Sequence, residues 1–409
     1  MPALTHFISR NQNHQKTHLY AFGATTFFFA VFNGIMSYFV PLRITQAGIS
    51  DSSMGLILGF SSVTGMGFDI LMCRLLKNTN YRRIFLCMFA VALMFPLALW
   101  GSASLITFLF AMTVWGLFYD LFNIGTFDFV ARTVRQTEHV GGFGIIQIFS
   151  SLGYTIAPII AGILAVSTYM MAPIVSYGFL ILSVISFGAV LILTNKGDMH
   201  HSEQIVKKPK GFLREFILWH AIGRRIYPAL ILTLILNIID AWFWTIGPLM
   251  AEELASLGPM KGFLLVTYQV PALCAGAIVG LVVTRIGKQN VAFFSLLVGS
   301  VFLSLFAFII HPIFIFVVSF MASIAIALAW PANNGMYADF ITQQTPIEKE
   351  IETLQDSFSN LGYVVGPIVA GFSAQFLGHR ASFSLLGGLG IVTAVFLLIV
   401  KAKKVSTQV

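Results

Sequence analysis

Windows of about 20 mostly apolar residues recur along the whole chain with only short polar breaks, and that pattern admits one solvent, lipid, and one spanning element, the α-helix. The windows fall at 19–41, 53–76, 84–100, 105–130, 144–166 and 171–193, and then at 226–250, 263–283, 291–310, 313–341, 357–376 and 382–400. With 57% hydrophobic and 10% charged residues, a chain of 409 residues has too little polar surface for a water-soluble globule. The predicted fold class is all-α: a polytopic membrane protein of twelve transmembrane helices. The mixed polar residues before position 19 lead into the first window without a cleavage signal, so this window is expected to remain as an anchor.

Charge orients the spans. All but three of the 24 Lys and Arg lie at the two ends, in the central linker or in loops after even-numbered windows; the exceptions are Arg43, Lys261 and Arg380. This positive-inside pattern predicts cytoplasmic termini in a cell (inner or plasma) membrane, and it accounts for the net charge of +8 without a nucleic-acid partner. Cys73, Cys87 and Cys274 lie in or beside windows and are expected to be reduced, packing thiols. His200, His201 and Glu203 make a local trio in the linker, too few ligands for a metal site. No metal and no cofactor is expected.

The linker, 194–225, divides the windows six and six, giving expected domains at 1–193 and 226–409. Within it GFLREFILWHAIGRR mixes apolar and basic residues as a short interfacial helix would. The halves repeat each other. FSSLGYTIAPIIAG from Phe149 aligns with FSNLGYVVGPIVAG from Phe358 with nine identities in fourteen. NGIMSYFVPL from Asn33 aligns with DAWFWTIGPL from Asp240, Asp128-Phe129 with Asp339-Phe340, and Asn123 with Asn334. Six spans return a chain to its starting side, so the repeat is parallel, two six-helix bundles about an axis along the membrane normal.

GLVVTRIGKQ, from Gly280, resembles the loop motif of the major facilitator superfamily, with Arg285, Gly287 and Lys288 in place and Thr284 where an acid belongs. The first-half counterpart, CRLLKNTNYRR from Cys73, has Asn78 and Asn80 at the Arg and Gly positions, and Asn is expected to tolerate the same tight turn. GYTIAPIIAG is similar to the signature of that superfamily's proton-coupled drug exporters, although Ala157 and Ala161 replace glycines and Met112 stands where the branch carries an Arg. The resemblance implies a monomeric secondary transporter of small molecules working by alternating access, with spans 1, 4, 7 and 10 lining a central cavity.

Acids inside spans are costly and mark function. Asp69, Asp120 and Asp240 lie within windows, and Asp128 and Asp339 lie near the cytoplasmic ends of spans 4 and 10. Asp120 and Asn123 share a helical stripe with Thr113 and Gly116, flanked by Trp115 and Tyr119; Asn237, Asp240 and Trp244 repeat the arrangement on span 7, with Asn33 at the matching depth of span 1 and Asn334 on span 10. These are the candidate substrate and proton-coupling residues. Arg82, Arg83, Arg285 and Lys288 are candidates, with Asp128 and Asp339, for a charged cytoplasmic latch between halves. Gly153, Pro158 and Gly162 of span 5 and Gly362, Pro367 and Gly371 of span 11 are candidates for close packing or for rocking elements. The 40 Phe are expected mostly to face lipid, with some available for an adaptable pocket.

A cavity with acids and no buried cations favours protons, cations or neutral amphiphiles. Proton-coupled export of a hydrophobic or cationic compound is the first expectation, with uptake of a neutral solute such as a sugar or nucleoside as the alternative. A channel or receptor would need a filter or charged ring that is not apparent. An intramembrane aspartyl protease is suggested by Tyr119-Asp120 and Pro271-Ala272-Leu273, but GMGFD precedes Tyr-Asp and is one residue too long.

Overall fold

The computed structural model describes residues 2–75, 79–134, 139–167, 169–194, 212–343 and 348–406. Among them are twelve α-helices and no strand: α1 (Pro2–Gln46), α2 (Asp51–Leu75), α3 (Tyr81–Gly101), α4 (Leu105–Thr133), α5 (His139–Ser167), α6 (Ala172–Leu193), α7 (Phe212–Glu253), α8 (Phe263–Ile286), α9 (Lys288–Ser304), α10 (Pro312–Gln343), α11 (Glu348–Leu377) and α12 (His379–Ser406). Ten helices are long and apolar enough to cross a membrane, and the bent pair Ser256–Ala275 and Ile278–Ile286 makes an eleventh. The remaining window falls on α2, whose side chains are described only as far as Phe68.

By contact density the chain forms two units, one of residues 1–43 and 63–206, the other of 44–62 and 207–409. The amphipathic stretch expected as a separate interfacial helix is instead the beginning of α7, which runs unbroken through Pro228 to Glu253. The reason is local: no glycine or second proline separates 224–225 from the apolar run that follows, so the helix propagates.

Each unit is held by the same small-residue contact, which gives the sequence repeat a structural meaning. A Cβ built on Gly153 would lie 2.6 Å from the Phe27 carbonyl oxygen, and one on Gly34 would lie 2.5 Å from the Ala157 Cβ, so α1 and α5 touch backbone to backbone. In the second unit a Cβ on Gly362 would lie 2.6 Å from the Asn237 Cβ, and one on Gly366 2.7 Å from the Ala241 Cβ, closing α7 on α11. Gly153 and Gly362, Gly34 and Ala241, and Ala157 and Gly366 are aligned pairs. Packing of this kind replaces the hydrophobic drive that lipid cannot supply.

Phe110, Phe127, Phe308, Phe314 and Phe376 are exposed on helix faces, as expected of residues facing lipid, but others pack inside. Phe22, Phe29, Phe85, Phe118 and Phe129 are fully buried in the first unit. Phe22 stacks on Phe129 at 3.9 Å between ring centroids, and Phe29 on Phe122 at 4.3 Å. Aromatic pairs add attraction that survives in an apolar solvent, because the ring quadrupoles do not depend on excluding water. Cys87 and Cys274, expected as packing thiols, lie on exposed helix faces and are free; Cys73 lies outside the described side chains.

The turn between α8 and α9 is a single residue. Gly287 adopts φ 83°, a region that side chains rarely enter, and so reverses the chain directly into Lys288. The first half solves the same turn another way. Asn80 has φ −105° and accepts the Arg83 N–H as the N-cap of α3, so the left-handed turn expected of it is not formed; Asn78 lies outside the described residues. A side-chain cap satisfies a free helix N–H at no conformational cost to Asn.

Candidate functional site

In the second unit, α7 carries Asp240 in the interior of the span Ile222–Glu253. Each of its carboxylate oxygens accepts one phenol: Tyr268 of α8 donates to Oδ1 at 2.8 Å, and Tyr363 of α11 donates to Oδ2 at 2.8 Å. Tyr268 is itself fixed, stacked on Phe243 at 3.9 Å with its carbonyl accepting from Ser323 of α10. One turn away, Asn237 accepts from Ser359 at 2.9 Å and donates to the Thr233 carbonyl at 2.7 Å. Thr233 then meets Asn333 at 2.8 Å and Tyr337 at 2.9 Å, both from α10. A chain of polar contacts thus joins four helices around one carboxylate. Trp244 is half-buried on the same helix.

The first unit repeats the arrangement with the charge removed. Asn33, aligned with Asp240, donates to the hydroxyl of Tyr154 at 2.8 Å, and Tyr154 is aligned with Tyr363. Trp115 completes the pair by donating to Asn33 Oδ1 at 3.0 Å. An amide accepts and donates but does not titrate near neutral pH, so this cluster binds without changing charge. Asp120 lies elsewhere on α4, against α2: a Cβ on Gly65 would sit 2.7 Å from its Oδ2. Asn123 is half-buried and Tyr119 exposed. Asp69 is helical in α2, but its side chain lies outside the described residues.

Asn334, expected at the cavity by its alignment with Asn123, is exposed and accepts from Gln355 at 3.4 Å; its neighbour Asn333 is the buried one. Asn333 and the tyrosines at 154, 268 and 363 were not singled out as site residues. Tyr154 and Tyr363 could have been, since the repeat retains both at the place where the halves are most alike.

The candidate latch residues find partners inside their own units. Asp128 receives the Tyr81 N–H at 2.6 Å and the Arg132 guanidinium at 2.8 Å, and Arg82 reaches the Thr194 carbonyl. Asp339 pairs with Lys288 at 2.5 Å beside a cleft of about 480 Å³ that Lys401 also lines. Tyr81 opens α3 and Lys288 opens α9, so the two aligned acids, on α4 and α10, each hold the start of the helix immediately before their own. Arg83 and Arg285 are exposed. Asp128 serves a helix N–H as well as a cation, whereas the Asp339 pair is largely exposed, so Asp128→Ala is expected to cost about 1–2 kcal/mol and Asp339→Ala less than about 1 kcal/mol. Thermal unfolding of the purified variants checks the order.

Of the remaining glycine and proline candidates, Pro158 and Gly162 lie within α5, and Gly371 of α11 packs on α2, where a Cβ would sit 3.0 Å from the Gly55 Cα. Pro367 presents its carbonyl oxygen to the same Gly55.

Ten or eleven apolar spans among the described helices, in two repeated sets with amide and carboxylate side chains held between helices, fit an integral membrane transporter. The sequence matches the Major Facilitator Superfamily over residues 22–245 and again over 229–409. The chain belongs to that superfamily, and it is a transporter rather than an enzyme. It is 23% identical to the multidrug resistance protein MdtG of Salmonella arizonae over 381 residues, covering 90% of this chain and 91% of that one. It is 25% identical to MdtG of Serratia proteamaculans over 280 residues, covering 65% and 64%. Among solved structures it resembles the nucleoside transporter NupG, with a TM-score of 0.74 at 14% identity over 93% of this chain and 98% of that one. A bacterial homolog of the human lysosomal transporter Spinster aligns with a TM-score of 0.67 at 13% identity, over 94% and 95%.

Proposed function

We propose that this transporter exports a hydrophobic or cationic small molecule in exchange for protons across the cell membrane, with its termini in the cytoplasm and Asp240 as the exchanging carboxyl. The observation that carries the reading is the pair of phenols on Asp240. They can stabilise the carboxylate whenever it is ionised, and among the described residues no cation pairs with it, so a proton and a cationic substrate can compete for it and couple the fluxes. The likeness to multidrug resistance proteins supports export, and the likeness to NupG supports the fold alone. The residue repeat supports a single titrating centre at this depth of α7, since Asn33 stands in its place on α1.

The test is flux in proteoliposomes under an imposed pH gradient, using a panel of lipophilic amines and neutral amphiphiles. Saturable movement of an amine against the proton gradient is expected; movement of neutral solutes only, or flux indifferent to the gradient, overturns the reading. Tyr363→Phe removes one donor and leaves Tyr268 in place. It is expected to reduce coupled flux by roughly tenfold, the value of one hydrogen bond to a charged group, and to leave the protein folded. Unchanged flux in that variant would show that Tyr363 is not used.

A further inference from the structure

A second group of ionisable side chains gathers where α7 ends, beside the starts of α2 and α12. His379, the first residue of α12, places Nδ1 2.6 Å from Glu253 Oε1 at the end of α7 and Nε2 3.2 Å from Asp51 Oδ2 at the start of α2. Arg380 lies 3.7 Å from the other Glu253 oxygen and donates to the Ile309 carbonyl. The charged groups around the ring are therefore Asp51 of α2, Glu253 of α7 and Arg380 of α12 itself. Glu252, next on α7, is taken by Lys261 at 2.5 Å.

A neutral imidazole has one N–H and one lone pair, and the lone pair is repelled by a carboxylate. Carboxylates at both ring nitrogens fit the imidazolium, with two charge-assisted bonds. Protonated, the ring together with Asp51, Glu253 and Arg380 has no net charge; neutral, it leaves one carboxylate unbridged. The same place has a second, independent feature. Residues 44–62, at the α1–α2 corner, belong to the second unit, and they meet α11 through glycine: Gly55 abuts the Pro367 carbonyl, a Cβ on Gly59 would lie 2.8 Å from the Val364 carbonyl, and the Ser52 N–H donates to Gln375 at 3.1 Å. This glycine seam holds α2 and α11 in close contact, and the ionic cluster adds a charge-dependent tie at its end.

We propose that His379 is a proton-operated latch that ties the 44–62 strap to α7 and α12, fastened when the imidazole is charged and released as it loses its proton. Imidazole is the side chain whose charge changes closest to neutral pH, and carboxylates at both of its nitrogens favour the charged form. The device stands apart from Asp240, and its test reads distance rather than transport.

The full chain, with Cys73, Cys87 and Cys274 replaced by Ser, carries spin labels at Gln46→Cys and Phe376→Cys in lipid nanodiscs. The short-distance population is expected to exceed the long one at about pH 5.5 and to lose that advantage roughly fivefold by about pH 8.5. His379→Gln should abolish the response, and Asp51→Asn, which leaves His379 and Glu253 in place, should weaken it. A distance distribution that ignores pH in the unaltered ring, or a pH response that survives His379→Gln, overturns the proposal.

Discussion

Asp240→Asn is expected to reduce proton-driven transport to the level of protein-free liposomes while the protein still folds and still binds substrate. The substitution is isosteric, and one phenol continues to donate to the side-chain carbonyl; the other meets an amide NH₂ and turns to accept from it. What disappears is the only function an amide cannot perform, the gain and loss of a proton. The protein already contains this state, because Asn33 with Tyr154 is the neutral version of Asp240 with Tyr363. The variant therefore makes the two halves alike where they now differ. Binding is followed by a thermal shift with the transported compound, since a ligand that binds the folded state raises its unfolding temperature. Transport with the wild-type pH dependence would sink the assignment and move it to Asp120, then to Asp69.

Much of this could be read without coordinates because lipid leaves so little choice. Twelve apolar windows demand helices, and the repeat fixes which helices correspond. The window from 226 and the amphipathic run before it were separable in sequence but not in the fold, since helix propagation crosses a change of hydrophobicity that a hydropathy reading treats as a boundary. Asp240 was legible because a charge inside a span is conspicuous. Its partners were not. Tyrosine is common on membrane helices, and only the facing of α8 and α11 toward α7 distinguishes Tyr268 and Tyr363 from the rest. Asn333 was missed in favour of Asn334 for a related reason. Adjacent residues on a helix differ by about 100° in facing, so an alignment accurate to one residue can still choose the wrong side. The charged pairs at the ends of α4 and α10 illustrate the remaining limit: opposite charges near one membrane face have many feasible partners, and the ones adopted are local, Arg132 four residues from Asp128 and Lys288 at the next turn in space from Asp339.

The second large effect is expected at the glycine seam. In Gly55→Val the new side chain starts inside the van der Waals envelope of the Pro367 carbonyl, and in Gly371→Val it starts against the Asp51 carbonyl and the Gly55 backbone. Backbone atoms have no rotamer with which to retreat, so the helices must separate, unlike a clash with the end of a flexible side chain. Overpacking of this kind costs about 1–3 kcal/mol, which is a roughly ten- to hundredfold penalty on the packed arrangement. The open arrangement, with 44–62 lifted from α11, is then the dominant one at every pH, whatever the charge on His379. Transport is expected to fall by a similar factor if the proposed exchange uses both arrangements. Gly67→Val is the control: it lies on the same helix and meets nothing within 4 Å. Wild-type flux in Gly55→Val, or equal losses in Gly55→Val and Gly67→Val, would show that closeness at the seam is not what the protein uses.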